Sequence, residues 1–262
     1  MRTTPGHHIL DAHSADTACR LVRLSDWLIS EGVATPAILV RTDGGRVGNH
    51  ARRPVIATDF VGGRHPVPSN RHAYATGAAL AQIHRLDPPR DLCLPSRRLP
   101  ADWRGTYDVA GGAQLRELLE EAEAAFAALP ARKRSFIHGD LFPDNMLEDK
   151  DGVIHLLDWE TAAFDWPALD LGFAAIGLAG SRQLAPRMTD ALLTGYSSAS
   201  GRVTDDELLT AAHYACAVLM FHRFRHGIGG HPTTPGDGWR ALLPAWQSLR
   251  MPVASAQLEV RR

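Results

Sequence analysis

Residues 136–172, FIHGDLFPDNMLEDKDGVIHLLDWETAAFDWPALDLG, constrain this chain more than any other stretch. His138, Asp140 and Asn145 stand in the order H-x-D-x-x-x-x-N; an apolar run from Val153 to Leu157 ends at Asp158, and Asp170 follows. Lys150-Asp151-Gly152 is a turn signal, so the apolar run reads as the second strand of a hairpin that delivers Asp158. A loop and a hairpin then bring two carboxylates and an amide side by side. That set suits phosphoryl transfer, whose loosely bonded anionic transition state calls for hard oxygen ligands on a divalent metal and for a carboxylate that takes a hydroxyl proton. A lone H-x-D, or a lone Asp after a strand, reads as structural; here spacing, turn and strand arrive together.

At HGDLFPDN and LLDWETA the chain resembles the aminoglycoside phosphotransferase and choline kinase superfamily, most closely its homoserine-kinase-like branch. The resemblance is specific over residues 54–180. It implies Asp140 as catalytic base, Asn145 and Asp158 as Mg²⁺ ligands, and His138 and Asp170 as support of the catalytic loop. Thr58, Asp59 and Phe60 would form the hinge whose backbone contacts adenine, with ATP (or GTP) and Mg²⁺ as cofactors. The implied fold is α+β, protein-kinase-like and bilobal: a small, shortened antiparallel-sheet lobe over residues 1–60 and a mainly helical lobe over residues 61–262. The carboxyl-terminal helices would build the acceptor site, to which Glu160, Arg223 and Arg225 are assigned.

The front end departs from that pattern. Members carry a Gly-rich hairpin over the phosphates, a strand bearing a Lys or Arg, and a helix whose Glu orients that cation. Here no Gly-x-Gly precedes Ile9, the strand offers Leu10-Asp11-Ala12, the only lysines are Lys133 and Lys150, and the helix presents Arg23 or Leu24. Several explanations stay open: Arg20, Arg23 or His13 substitutes, a partner protein completes the lobe, the chain is a pseudokinase-like binding module, or the reading frame is shortened. A phosphorylating subunit of a peptide-modifying biosynthetic complex is one case of the second.

Around this segment the pattern predicts a strand at Ile9-Leu10, then a helix to Ser30 capped by Asp16 or Thr17. Ala37–Arg41 and Pro54–Val61 read as an antiparallel pair turning at Gly44-Gly45. Helices follow over 70–86 (Tyr74, Ala78, Ala81 and Leu80 or Ile83 inward, His84 structural), 114–129, 170–179, 185–196, 204–224 with a capping-box start, and 237–249 packed by Trp239 and Trp246. Pro88 to Pro100 reads as a surface connection, and Glu117, Glu120, Glu121 and Glu123 as a solvated face.

With 28 basic and 29 acidic residues, no global field points to nucleic acid or membrane. Cys19, Cys93 and Cys216 are widely spaced, which argues against a disulfide framework or zinc ribbon. No basic segment leads into an apolar run, so a cytoplasmic protein is expected. From Leu208 to Arg250 the only acid is Asp237, against His213, His222, Arg223, Arg225, His226, His231, Arg240 and Arg250. Such a lining favours an anionic small-molecule or peptide acceptor over a polycationic antibiotic, unless Arg223, Arg225 and His226 merely complement a helix end. His222, His226 and His231 as a metal site is the weaker reading, since no carboxylate or Cys joins them at ligand spacing.

Overall fold

The computed structural model describes residues 8–105, 112–131, 133–180, 185–200, 202–228 and 235–249. β1 (His8–Ala12), β2 (Gly48–His50) and β3 (Arg53–Asp59) form an antiparallel sheet in the order β1-β3-β2, with register running from His8 opposite Asp59 to Ala12 opposite Val55. The hairpin turns at Ala51 and Arg52, with φ of 47° and 65°, and not at Gly44-Gly45. A two-residue turn with both φ positive matches the twist of the strands it joins. Ala37–Arg41 contributes only a bridge from Ile38 to Thr58 and a few flanking bonds. Arg46 explains the difference: it donates to the Ile38 carbonyl at 2.6 Å and to Asp26 at 2.5 Å, folding the intervening residues into a loop of their own.

α1 (Ala15–Ser30) is capped by Ser14, whose Oγ accepts from Thr17 N at 3.2 Å, rather than by Asp16 or Thr17. Leu21, Leu24 and Leu28 recur at three-and-four spacing and bury one face. β5 (Met146–Glu148) and β6 (Ile154–Leu156) form the expected hairpin, and β4 (Ser135–Ile137) pairs with β7 (Ala163–Asp165).

The remaining helices are α2 (Asn70–Ile83), α3 (Gly112–Ala127), α4 (Pro167–Ala179), α5 (Pro186–Ser200), α6 (Asp205–His226) and α7 (Leu243–Leu249). Asp170 apart, α4 is apolar on every face and almost wholly buried, as a helix at the centre of a bundle must be. α6 carries the full Thr204–Glu207 capping box. The last segment is a 3₁₀ stretch (Pro235–Leu242) leading into α7, not one helix, and buries Trp239 and Trp246. Tyr74 points outward, 46% exposed; Leu80, Ala81 and Ile83 are buried as expected, together with Ala73 and Gly77.

Glycines set how closely these helices approach. A Cβ at Gly77 would lie 2.1 Å from the Leu192 carbonyl oxygen, and one at Gly195 2.1 Å from that of Tyr74, so α2 and α5 cross with backbones in contact. Gly77→Ala is expected to lower stability by about 2 kcal/mol through overpacking, read as a shifted urea midpoint; an unchanged midpoint would mean that the two helices part freely.

Candidate active site

The loop between β4 and β5 is fixed from below by one carboxylate. Asp170, in the first turn of α4 and fully buried, accepts from His138 N and Gly139 N, each at 2.8 Å, and contacts His84 Nε2 at 3.0 Å. His84 in turn reaches the Tyr196 hydroxyl at 3.1 Å. Burial alone would raise the Asp170 carboxyl, but the His84 hydrogen bond, the neighbouring histidines and the Gly139 amide hold it below the usual carboxylate range. Gly139 has φ +82°, and a Cβ there would meet the Thr161 carbonyl oxygen at 2.5 Å.

His138 is buried; its Nε2–H donates to the Leu157 carbonyl at 2.8 Å, tying the loop to the end of the hairpin. Burial depresses its pKa. Asp140 follows the tight turn. Asn145 Nδ2 donates to its backbone oxygen at 2.7 Å and its Oδ2 at 3.2 Å. Burial, then the charges of Asp158 and Asp144, outweigh Arg97 and Asn145 and push the Asp140 carboxyl up to about 6.

Asp158 sits at the hairpin's end in the left-handed region, with φ 54°. Together with Asn145 it lines a cleft of about 640 Å³ whose other walls include His13, Thr35, Ile38, Ile56, Trp159 and Glu160. Thr58, Asp59 and Phe60 line the same cleft from the end of β3. The donor set fits a hard divalent cation: Asn145 spends its amide nitrogen on Asp140, which leaves Oδ1 as its ligand end, and Asp158 offers a carboxylate on the same wall. Among the described residues no three His, Cys, Asp or Glu side chains are grouped so as to hold a metal ion by themselves, so an ion there would take further oxygens from substrate and water.

The other acceptor assignments separate. Glu160 lies in the cleft against His13, while Arg223 and Arg225 occupy the last turn of α6 and do not line it. His231 and Arg250 fall outside the described residues; the His222 and His226 rings lie 4.5 Å apart, tilted by 44°. The three cysteines are free, and among the described residues no helix is long and apolar enough to cross a membrane.

Residues 95–99 lie in the expected surface connection, with Pro95 and Ser96 exposed, but send two arginines inward. Ser96 and Arg98 bond the fully buried Asp165, Arg98 through three contacts at 2.8, 2.9 and 3.2 Å. Arg97 donates to the Gly139 carbonyl at 2.9 Å, and its guanidinium lies 3.9 Å from Asp140 and 4.9 Å from the Phe173 ring. Partial burial, then the charges of His226 and Arg97, depress the pKa of His222. Three adjacent polar donors inside a Pro-bounded segment were the only sequence signal.

A small antiparallel sheet over a helical body, with a metal-competent loop and hairpin at the cleft between them, is the arrangement of kinase-like phosphotransferases. Residues 8–207 match the phosphotransferase enzyme family, and the chain belongs to it. Among curated relatives it is 27% identical over 215 residues to homoserine kinase of Gluconobacter oxydans, covering 76% of this chain and 68% of that one. To homoserine kinase of Brucella anthropi it is 31% identical over 213 residues, covering 76% and 65%. Choline kinase LicA from Streptococcus pneumoniae superposes with TM-score 0.64 at 17% identity, covering 95% of this chain and 88% of that one. Amicoumacin kinase hAmiN, solved with AMP-PNP, Ca²⁺ and Ami, gives 0.67 at 14% identity, with 92% and 80% covered.

Proposed function

We propose that this phosphotransferase is a kinase that moves the γ-phosphoryl of ATP or GTP to a hydroxyl of a small metabolite. The observation that carries the reading is Asn145 and Asp158 together on one wall of the cleft, with Asp140 hydrogen-bonded to the Asn145 amide. Thr58, Asp59 and Phe60 would receive the base, and the lobe boundary would fall between residues 60 and 61. A Mg²⁺ held by Asn145 and Asp158 would neutralise charge on the phosphates. Asp140, across Asn145 from the cleft and beside Arg97, would accept the proton of the attacking hydroxyl.

On that side stands Arg97, 3.9 Å from Asp140, and Arg223 and Arg225 would join it from the last turn of α6. Cations there suit an acceptor bearing a carboxylate beside its hydroxyl, as homoserine does, the compound named in the relatives' activity. The second reading, a subunit whose nucleotide site a partner completes, rests on the absence of a lysine from β1. A calorimetric titration with Mg²⁺-ATP followed by a turnover screen of hydroxy acids, amino alcohols and aminoglycosides separates the two. Saturable ATP binding and turnover with a hydroxy amino acid is the expected result. Turnover confined to polycations would overturn the acceptor reading, and binding only after a partner is added would favour the second.

A further inference from the structure

The described residues that line the cleft include three acids, Asp59, Asp158 and Glu160, yet no Lys or Arg; the groups there able to carry positive charge are His13 and His65. A nucleotide polyphosphate entering such a wall needs a cation from the protein as well as a metal. His65 already contacts the Met146 carbonyl through Nδ1 at 2.9 Å. Arg23 is paired with Asp91, and Arg46 with Asp26 and the Ile38 carbonyl.

His13 is placed differently. Its backbone N donates to the Pro54 carbonyl at 2.9 Å, extending the β1–β3 ladder by one residue, so the strand register fixes where its side chain emerges. The side chain is only 6% exposed and lines the cleft. Its Nδ1 pairs with the Glu160 carboxylate, and its Nε2 is buried with no hydrogen-bond partner. Glu160 comes from the same 3₁₀ turn, Trp159–Thr161, that follows Asp158. Its backbone oxygen accepts from Arg20 Nη2 at 3.0 Å, which fastens that turn to α1.

We propose that His13 supplies the protein's cationic contact to the nucleotide polyphosphate, with Glu160 as its positioning carboxylate and Arg20 bracing the Glu160 backbone. The inference rests on the phosphotransferase reading of the cleft. In this arrangement the cation comes from the residue just after β1, and the acid that orients it comes from beside the metal-binding hairpin. Protonated His13 donates through Nδ1 to Glu160 and through Nε2 to a phosphate oxygen. Glu160 thereby belongs to the nucleotide and not to the acceptor.

The test is calorimetry of the full chain with ATP and with adenosine, both in Mg²⁺. His13→Ala is expected to weaken ATP about tenfold or more, the loss of one hydrogen bond between charged groups, while adenosine stays within about twofold. His13→Gln, which keeps a polar side chain without charge, should show the same selective loss, and His13→Lys should restore ATP. Glu160→Gln should weaken ATP by a smaller factor. Thermal unfolding of each variant shows that it is folded. ATP affinity unchanged in both His13→Ala and His13→Gln, with adenosine still bound, overturns the role of His13 alone. Wild-type protein that binds neither ATP nor adenosine overturns the kinase reading and this inference together.

Discussion

Asp140→Asn is expected to cut turnover by about a thousandfold, in the range lost when a general base is removed, and to leave the protein more stable than wild type at pH 8. Both effects have one cause. The Asp140 carboxyl is only 25% exposed, and burial followed by the charges of Asp158 and Asp144 pushes its pKa up to about 6 from an ordinary value of 3.8. Its folded value lies above its unfolded one, so the stability it contributes is full below about pH 4 and is lost as pH rises through about 6. Holding it ionised at pH 8 then costs the fold about 3 kcal/mol, and the neutral amide avoids that cost. Thermal unfolding of both proteins in metal-free buffer at pH 4 and pH 8 reads the difference, which should vanish at the lower pH. A variant with wild-type turnover would remove Asp140 as base. One that is less stable at pH 8 would show that Arg97 and Asn145 more than compensate for burial.

What the sequence made legible were features whose cause is local. The loop from His138 to Asn145, the Lys150–Gly152 turn and the run ending at Asp158 specify one another within about twenty residues, and the Thr204–Glu207 capping box within four. Features whose cause lies far along the chain stayed hidden. Arg98 reads as a surface residue until Asp165, 67 positions on, closes over it. Gly77 and Gly195 look like defects in helical patterns, because the backbone each one admits belongs to another helix. Gly44-Gly45 attracted the hairpin on turn chemistry, whereas Ala51 and Arg52 accept a strained turn that Arg46 and the β3 pairing impose. The contacts of Glu160 were hidden for the same reason: its partners His13 and Arg20 precede it by more than a hundred residues.

Asp170→Ala should cost about 3–5 kcal/mol of stability, the range for removing one partner from a buried charged cluster. The carboxylate joins four pieces of the fold: its own helix α4, the loop through His138 and Gly139, His84 at the end of α2, and through His84 the Tyr196 hydroxyl on α5. Alanine leaves two buried amides and an imidazole facing a cavity that apolar packing cannot satisfy. Gly139 has little room to relax, with its positive φ and the Thr161 carbonyl against it, so strain released there is passed to Asp140, the next residue. Asp170→Asn keeps the shape and one acceptor oxygen but turns an amide NH₂ toward a donor, and should be destabilised by roughly half as much. The pH dependence has a definite sign. A carboxyl held below its ordinary range stabilises the fold above that range and loses the contribution as pH falls through its folded pKa, so the acid limb of unfolding should be shallower in both variants than in wild type. Because Asp170 does not line the cleft, affinity for ATP should fall less than turnover. Urea unfolding at pH 7 and pH 4 with calorimetry at pH 7 measures all three, and Asp170→Ala unfolding at the wild-type urea concentration would show that His84 and the loop amides find other partners without it.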